Sequence, residues 1–152
     1  MIEKLLAFLE VNTETIASAS TISDLLAPQL DRIIADLYDR LHDHDVSPRI
    51  TSAAIPALKT KQKQHWLALF RSQFGQDVCS HARRIALRHH EIGLGPLWYV
   101  AAYVHLKLAF IEVIMNSDLG PVTKRKLVRT LEKYVAIDMV LALSTYDAVV
   151  LS

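Results

Sequence analysis

Residues 84–103 read RIALRHHEIGLGPLWYVAAY, with two adjacent imidazoles at the end of an apolar-striped segment and just ahead of a turn. The turn IGLGP stops one helix and places Pro96 at the start of the next, where its missing N–H would have gone unbonded anyway. On a period of about 3.5 residues, Val78, Ala82, Ile85, His89 and Ile92 fall in one row. His89 therefore sits inside an apolar stripe and is expected to face inward. His90 falls in the neighbouring row with Cys79, Arg83, Ala86 and Gly93, which carries a charge and is expected to be peripheral.

The same punctuation divides the rest of the chain into helices. A short helix is expected near residues 2–10 and a second near 13–27, bounded by Pro28. The stretch LDRIIADLYDRLHDH gathers Leu30, Ile34, Leu37, Tyr38 and Leu41 on one side and ends in the loop HDHDVSP. From about Ser52 a helix runs through ALKTKQKQHWLALF, and Gly75 separates it from one near 76–91. The helix opened by Pro96 reaches about Met115; NSDLGP stops it, and Pro121 opens a last helix to the chain end. Seven or eight helices of unequal length, with no repeat and no linker, describe one all-α domain over residues 1–152.

Composition agrees and removes several functions. A chain of 152 residues takes roughly two-thirds of its surface out of water on folding, enough for a core with a pocket in it. With 51% hydrophobic residues but only four Gly and five Pro, there are too few turn-formers for many short strands. The formal charge of +1, with acids and bases interspersed, supplies no basic stripe for phosphates, so no nucleic-acid partner is expected. One cysteine, Cys79, excludes an internal disulfide, a CxxC pair and a CxxCH haem attachment, and a reducing, cytoplasmic setting fits. The opening MIEKLLAFLEVN is broken by charges and does not read as a signal peptide. The most apolar segment, PLWYVAAYVHLKLAFIEVIM, carries His105, Lys107 and Glu112, and is expected to be buried in protein rather than in lipid.

An inward His89 has two readings: a core histidine bonded to a backbone carbonyl, or an axial ligand to haem iron, which needs one imidazole among apolar side chains. Tyr38, in the buried row of Ile34 and Leu41, likewise reads as a core tyrosine or as a hydrogen-bond donor to a ligand across a haem. The remaining histidines offer no helical metal pair, because none is followed four residues later by His or Glu. His42 and His44 are expected in solvent, and His65, His81 and His105 as packing or surface residues. No phosphate loop or nucleophile motif occurs.

His89, Ile92, Gly93, Leu94, Pro96, Trp98, Tyr99 and Tyr103 together resemble the H-x-x-IGL-x-P-x-WY-x-x-x-Y signature of globin-coupled sensors, bacterial haem globins that precede signalling modules. LKTKQKQHW, from Leu58 to Trp66, is similar to that family's K-x-x-Q-x-x-HW pattern, and LYDRL at 37–41 to its FY-x-x-L. The sequence departs from the family at Leu37, where a Phe is common, and near Ile50, where a second Phe is usual. The resemblance implies a globin-like fold of seven to eight helices with an extra N-terminal one, and haem b held non-covalently. His89 would be the metal ligand and Tyr38 the distal donor. Leu58 would gate the pocket and Gln62 would add a second donor, with Ile34, Ile85, Ile92 and Tyr103 also against the cofactor.

The function so implied is reversible binding of dioxygen, with carbon monoxide and nitric oxide as other ligands, and no catalysis in this chain. The stretch YVAIDMVLAL is apolar almost all round, which points to a homodimer through the last two helices. The chain ends at TYDAVVLS with no helix stop, which suggests an output module beyond it, such as a chemotaxis transducer, a diguanylate cyclase or a kinase. The competing reading is a haem-free, dimeric interaction module of a stress regulator; a catalytic haem protein ranks third.

Overall fold

The computed structural model describes residues 2–46, 50–91 and 94–150, with side chains of the last helix described to residue 144. Within them lie seven α-helices: α1 (Ile2–Phe8), α2 (Thr13–Leu26), α3 (Leu30–Asp43), α4 (Ile55–Phe70), α5 (Gln76–Glu91), α6 (Pro96–Met115) and α7 (Pro121–Val150). A 3-10 turn over Ser52–Ala54 precedes α4. Among the described residues there is no strand. The all-α architecture and its extra N-terminal helix follow the punctuation of the sequence.

Helix ends show why. The first helix stops at Phe8 rather than near residue 10, because the chain turns left-handed at Glu10 (φ 55°). Asn12 then opens α2 with a reciprocal cap: its side chain accepts from the Thr15 N–H at 3.0 Å, and the Thr15 hydroxyl accepts from the Asn12 N–H at 3.3 Å. Proline sits in the first turn of both α4 and α6.

α7 lies against α2, α5 and α6, while α2 and α3 each pack on α4 and α6. A column of rings threads this core. From Phe74 it passes to Tyr134 (4.9 Å between centroids), Phe70 (5.8 Å), Phe110 (6.2 Å) and Trp66 (5.1 Å). It continues through Tyr103 (5.9 Å) and Tyr99 (5.3 Å) to His89 (4.9 Å). Each such pair adds about 0.5–1.5 kcal/mol beyond its buried area. At the far end, Phe74 holds φ 57°, which costs a bulky residue about 1–3 kcal/mol. Burial of its ring and a 2.7 Å bond from its N–H to Ser72 Oγ offset that strain.

Two expectations about apolar surface change. The surplus of YVAIDMVLAL is consumed mostly inside the protomer: Tyr134, Val135, Ile137, Asp138, Leu141 and Ala142 are all buried, because helices surround α7 on several sides. α6, by contrast, is buried on one face only. Tyr99, Tyr103, Leu106, Phe110 and Ile114 face the core, while Leu97, Val100, Val104 and Leu108 form an exposed stripe at helical spacing. By length and hydropathy alone α6 could cross a bilayer; its core-packed face is that of a helix inside a protein.

Phe110 is fully buried between Trp66 and Phe70. Phe110→Ala should lower unfolding free energy by about 3–5 kcal/mol, read as a shift of the urea midpoint with little change in slope.

Candidate functional site

At the His89 end of the ring column the helices leave a cavity of about 790 Å³, counting the space at its mouth. His89, Tyr38, Leu58, Ile85, Gln62 and Tyr103 all line it. Of the other residues expected against a cofactor, Ile34 is buried (1% exposed) in the helical core and does not line the cavity. The inward face of α3 is longer than the cavity, and only Leu37, Tyr38 and Leu41 reach it. Ile92 lies outside the described residues.

His89 is half-buried on the last turn of α5, while His90 is exposed. Both hydrogen bonds to the His89 ring fall on Nδ1: the Ile85 carbonyl at 2.9 Å and the Tyr99 hydroxyl at 3.2 Å. A carbonyl only accepts, so Nδ1 carries the proton and Nε2 keeps a lone pair. Burial pushes the His89 pKa down, against the Ile85 bond that raises it, and so favours the neutral ring that ligates metals.

Tyr38, on α3, contributes a phenol whose pKa burial pushes up to about 12, so it stays an O–H donor. Its hydroxyl has no hydrogen-bond partner among the described residues. Gln62 is held by its carbonyl end, which accepts from Trp66 Nε1 at 3.0 Å, leaving the amide N–H groups as its donors. Ile50 stands on the wall near where the resembled family places a Phe.

Three wall residues escaped the sequence reading as parts of a site. Asp138 on α7 is 2% exposed, and its Oδ2 accepts from the Tyr103 hydroxyl at 2.6 Å and from His65 Nε2 at 3.0 Å. Tyr99 touches both His89 and Tyr103. Burial works against protonation of His65, but the charge of Asp138 and its hydrogen bond outweigh that and raise the His65 pKa overall. Burial, with Asp138 close by, holds the Tyr103 phenol well above its ordinary range. The available signal for Asp138 was an acid alone in the apolar stretch YVAIDMVLAL. For His65 and Tyr99 it was membership of the HW and WY motifs.

The donor set fits an iron porphyrin better than a bare ion. It offers one imidazole nitrogen, apolar walls and one unpartnered phenol. Among the described residues no group of three or more His, Cys, Asp or Glu could hold a metal unaided.

An all-α chain of seven helices enclosing such a cavity has the architecture of a globin. Residues 1–149 match the family model described as Protoglobin, and the chain belongs to that family. In structure it is similar to the globin domain of the Geobacter sulfurreducens globin-coupled sensor, with a TM-score of 0.82 at 15% identity, covering 95% of this chain and 96% of that one. It is also similar to the ferric and ferrous globin domains of E. coli DosC, each with a TM-score of 0.75 at 16% identity, covering 93% of this chain and 97% of the other. In sequence it is 23% identical over 115 residues to the heme-based aerotactic transducer HemAT of Halobacterium salinarum, matching 74% of this chain and 24% of that protein. The chain thus spans about a quarter of the length of that relative.

The buried pair sets a pH dependence. The folded chain keeps the His65 proton above the ordinary value of 6.5, so the pair's contribution is complete below that pH and is lost as pH rises through the raised value. His89 and His81 have lowered values, so their contribution is complete above 6.5 and is lost as pH falls through those values. The melting temperature should therefore decline on both sides of about pH 6.5. His65→Gln should flatten the alkaline side and leave the acid side; an alkaline decline that survives the substitution counts against the ion pair.

Proposed function

We propose that this chain binds haem b non-covalently and serves as a gas-sensing globin domain, with dioxygen as its principal ligand. The observation that carries the reading is His89, whose Nδ1 proton is committed to Ile85 and Tyr99 and whose Nε2 lone pair remains for a metal, in a cavity that also presents an unpartnered Tyr38 hydroxyl. The kinship supports it: one relative is named a heme-based aerotactic transducer, and structural neighbours are a globin-coupled sensor's globin domain and ferric and ferrous DosC globin domains.

Ferrous haem, when bound, supplies a coordination position at which a diatomic gas is held reversibly. His89 holds and orients the group through Nε2. Tyr38 donates a hydrogen bond to a polarised ligand, and Gln62 offers a second donor. Leu58 and Ile85 restrict water, and Tyr103 closes the α6 wall. A hydrogen bond to a partly charged acceptor contributes about 1.5–3 kcal/mol, roughly ten- to a hundredfold in retention of the gas. Dioxygen draws more charge than carbon monoxide and gains more; nitric oxide is a further candidate.

The chemistry is ligation rather than turnover, in a cytoplasmic setting. A second copy covers the exposed stripe of α6, and the state of the site passes through that dimer to an output module such as a transducer, a cyclase or a kinase. The haem-free alternative would leave the cavity and its unpartnered phenol without a role.

Four substitutions test this. His89→Ala should abolish haem retention through gel filtration while His90→Ala keeps it; the reverse result would reassign the ligand. Tyr38→Phe should speed dioxygen release about ten- to a hundredfold and carbon monoxide release far less, whereas equal effects would remove Tyr38 from the donor role. Leu108→Glu places a charge in the exposed stripe and should convert a dimer to a monomer in light scattering, with the absorption spectrum unchanged; a dimer that persists would move the interface elsewhere.

A further inference from the structure

We propose that Asp138, which does not touch the metal ligand, tunes it through two phenols in series, Tyr103 and Tyr99. The inference rests on the reading of His89 as the haem ligand and concerns what sets that ligand's strength.

The direction of the chain follows from what each group can do. The Asp138 carboxylate only accepts, so at 2.6 Å the Tyr103 proton points toward it. That leaves the Tyr103 oxygen free to accept, and the Tyr99 ring, 5.3 Å away between centroids, places a second phenol beside it. At the other end, the Ile85 carbonyl requires a proton on His89 Nδ1, and the Tyr99 oxygen lies 3.2 Å from that nitrogen. The single Nδ1 proton is shared between the Ile85 carbonyl and the Tyr99 oxygen, and the two phenol protons can then point the same way, from Tyr99 to Tyr103 to Asp138. Hydrogen bonds in series polarise one another, and a carboxylate at the end of such a series draws the Nδ1 proton outward. Nε2 becomes a stronger donor, much as a carboxylate does when it bonds directly to a ligating histidine.

His65 sets how strong the pull is. Its Nε2 lies 3.0 Å from the same Oδ2, so the carboxylate is fixed in place and its charge is partly met from α4. The arrangement spans four helices: α7 carries the charge, α6 both phenols, α5 the ligand and α4 the counter-group. Asp138 and Tyr103 are thus positioning residues for His89.

The test uses the full chain loaded with haem. Asp138→Asn keeps the shape and removes the charge, and Tyr103→Phe keeps the ring and removes the link. The ferric/ferrous midpoint potential, the iron–nitrogen stretch in resonance Raman spectra and the melting temperature are measured for each variant and for the double variant. Loss of the pull should favour the ferrous form about tenfold in each single variant, a midpoint rise of about 59 mV for one electron, with the stretch moved to lower frequency. The double variant should shift no further than Asp138→Asn alone, because both changes cut one path. Unchanged potential and stretch in haem-loaded variants, or shifts that add in the double variant, would overturn the proposal, whatever happens to the melting temperature. If Asp138→Asn does not fold, Tyr103→Phe decides the matter by the same two readouts. A wild-type chain that takes up no haem would instead overturn the reading beneath it.

Discussion

Asp138 places a carboxylate, 2% exposed, in the middle of YVAIDMVLAL, the stretch of α7 over residues 134–143 that is otherwise apolar. An isolated charge so buried would cost several kcal/mol, and the fold meets it with two partners from two other helices, His65 at 3.0 Å and Tyr103 at 2.6 Å. One oxygen atom thereby ties α4, α6 and α7 together on the cavity wall. Directional bonds to one buried charge fix the relative register of these helices as well as their packing does.

The same network explains what is legible in the sequence. The helices are legible because Gly, Pro and Asn mark their ends by backbone chemistry that needs no tertiary context. The register of α5 is legible too: Ile85 and His89 share a row, and both line the cavity while His90 is exposed. Asp138 is not legible as a partner of His65, since periodicity tells which face of a helix is inward but not what stands across from it, and these two are 73 residues apart. Ile34 shows the converse limit. It lies on the inward face of α3, yet inward means core there and cavity only near Tyr38. The apolar surplus of α7 reads in sequence as a surface for another chain, but α2, α5 and α6 cover much of it.

α6 carries two roles on opposite faces. Inward, Tyr99 meets the His89 ring edge-on at 4.9 Å and Tyr103 holds Asp138. Outward, Leu97, Val100, Val104 and Leu108 stand exposed. A shift of His89 therefore reaches the exposed stripe through one rigid helix rather than through a long relay of side chains. Under the proposed gas-sensing reading, that proximity would carry the state of the pocket to a second copy seated on the stripe.

The most direct measurement is the absorption spectrum of the reduced, haem-reconstituted protein under argon, air and carbon monoxide. A haem ligated by His89 beside an open, Tyr38-lined cavity should give a ligand-free ferrous spectrum under argon that changes reversibly with each gas. A protein that stays colourless after reconstitution, or a haem spectrum that neither gas alters, would contradict the proposed function at its root.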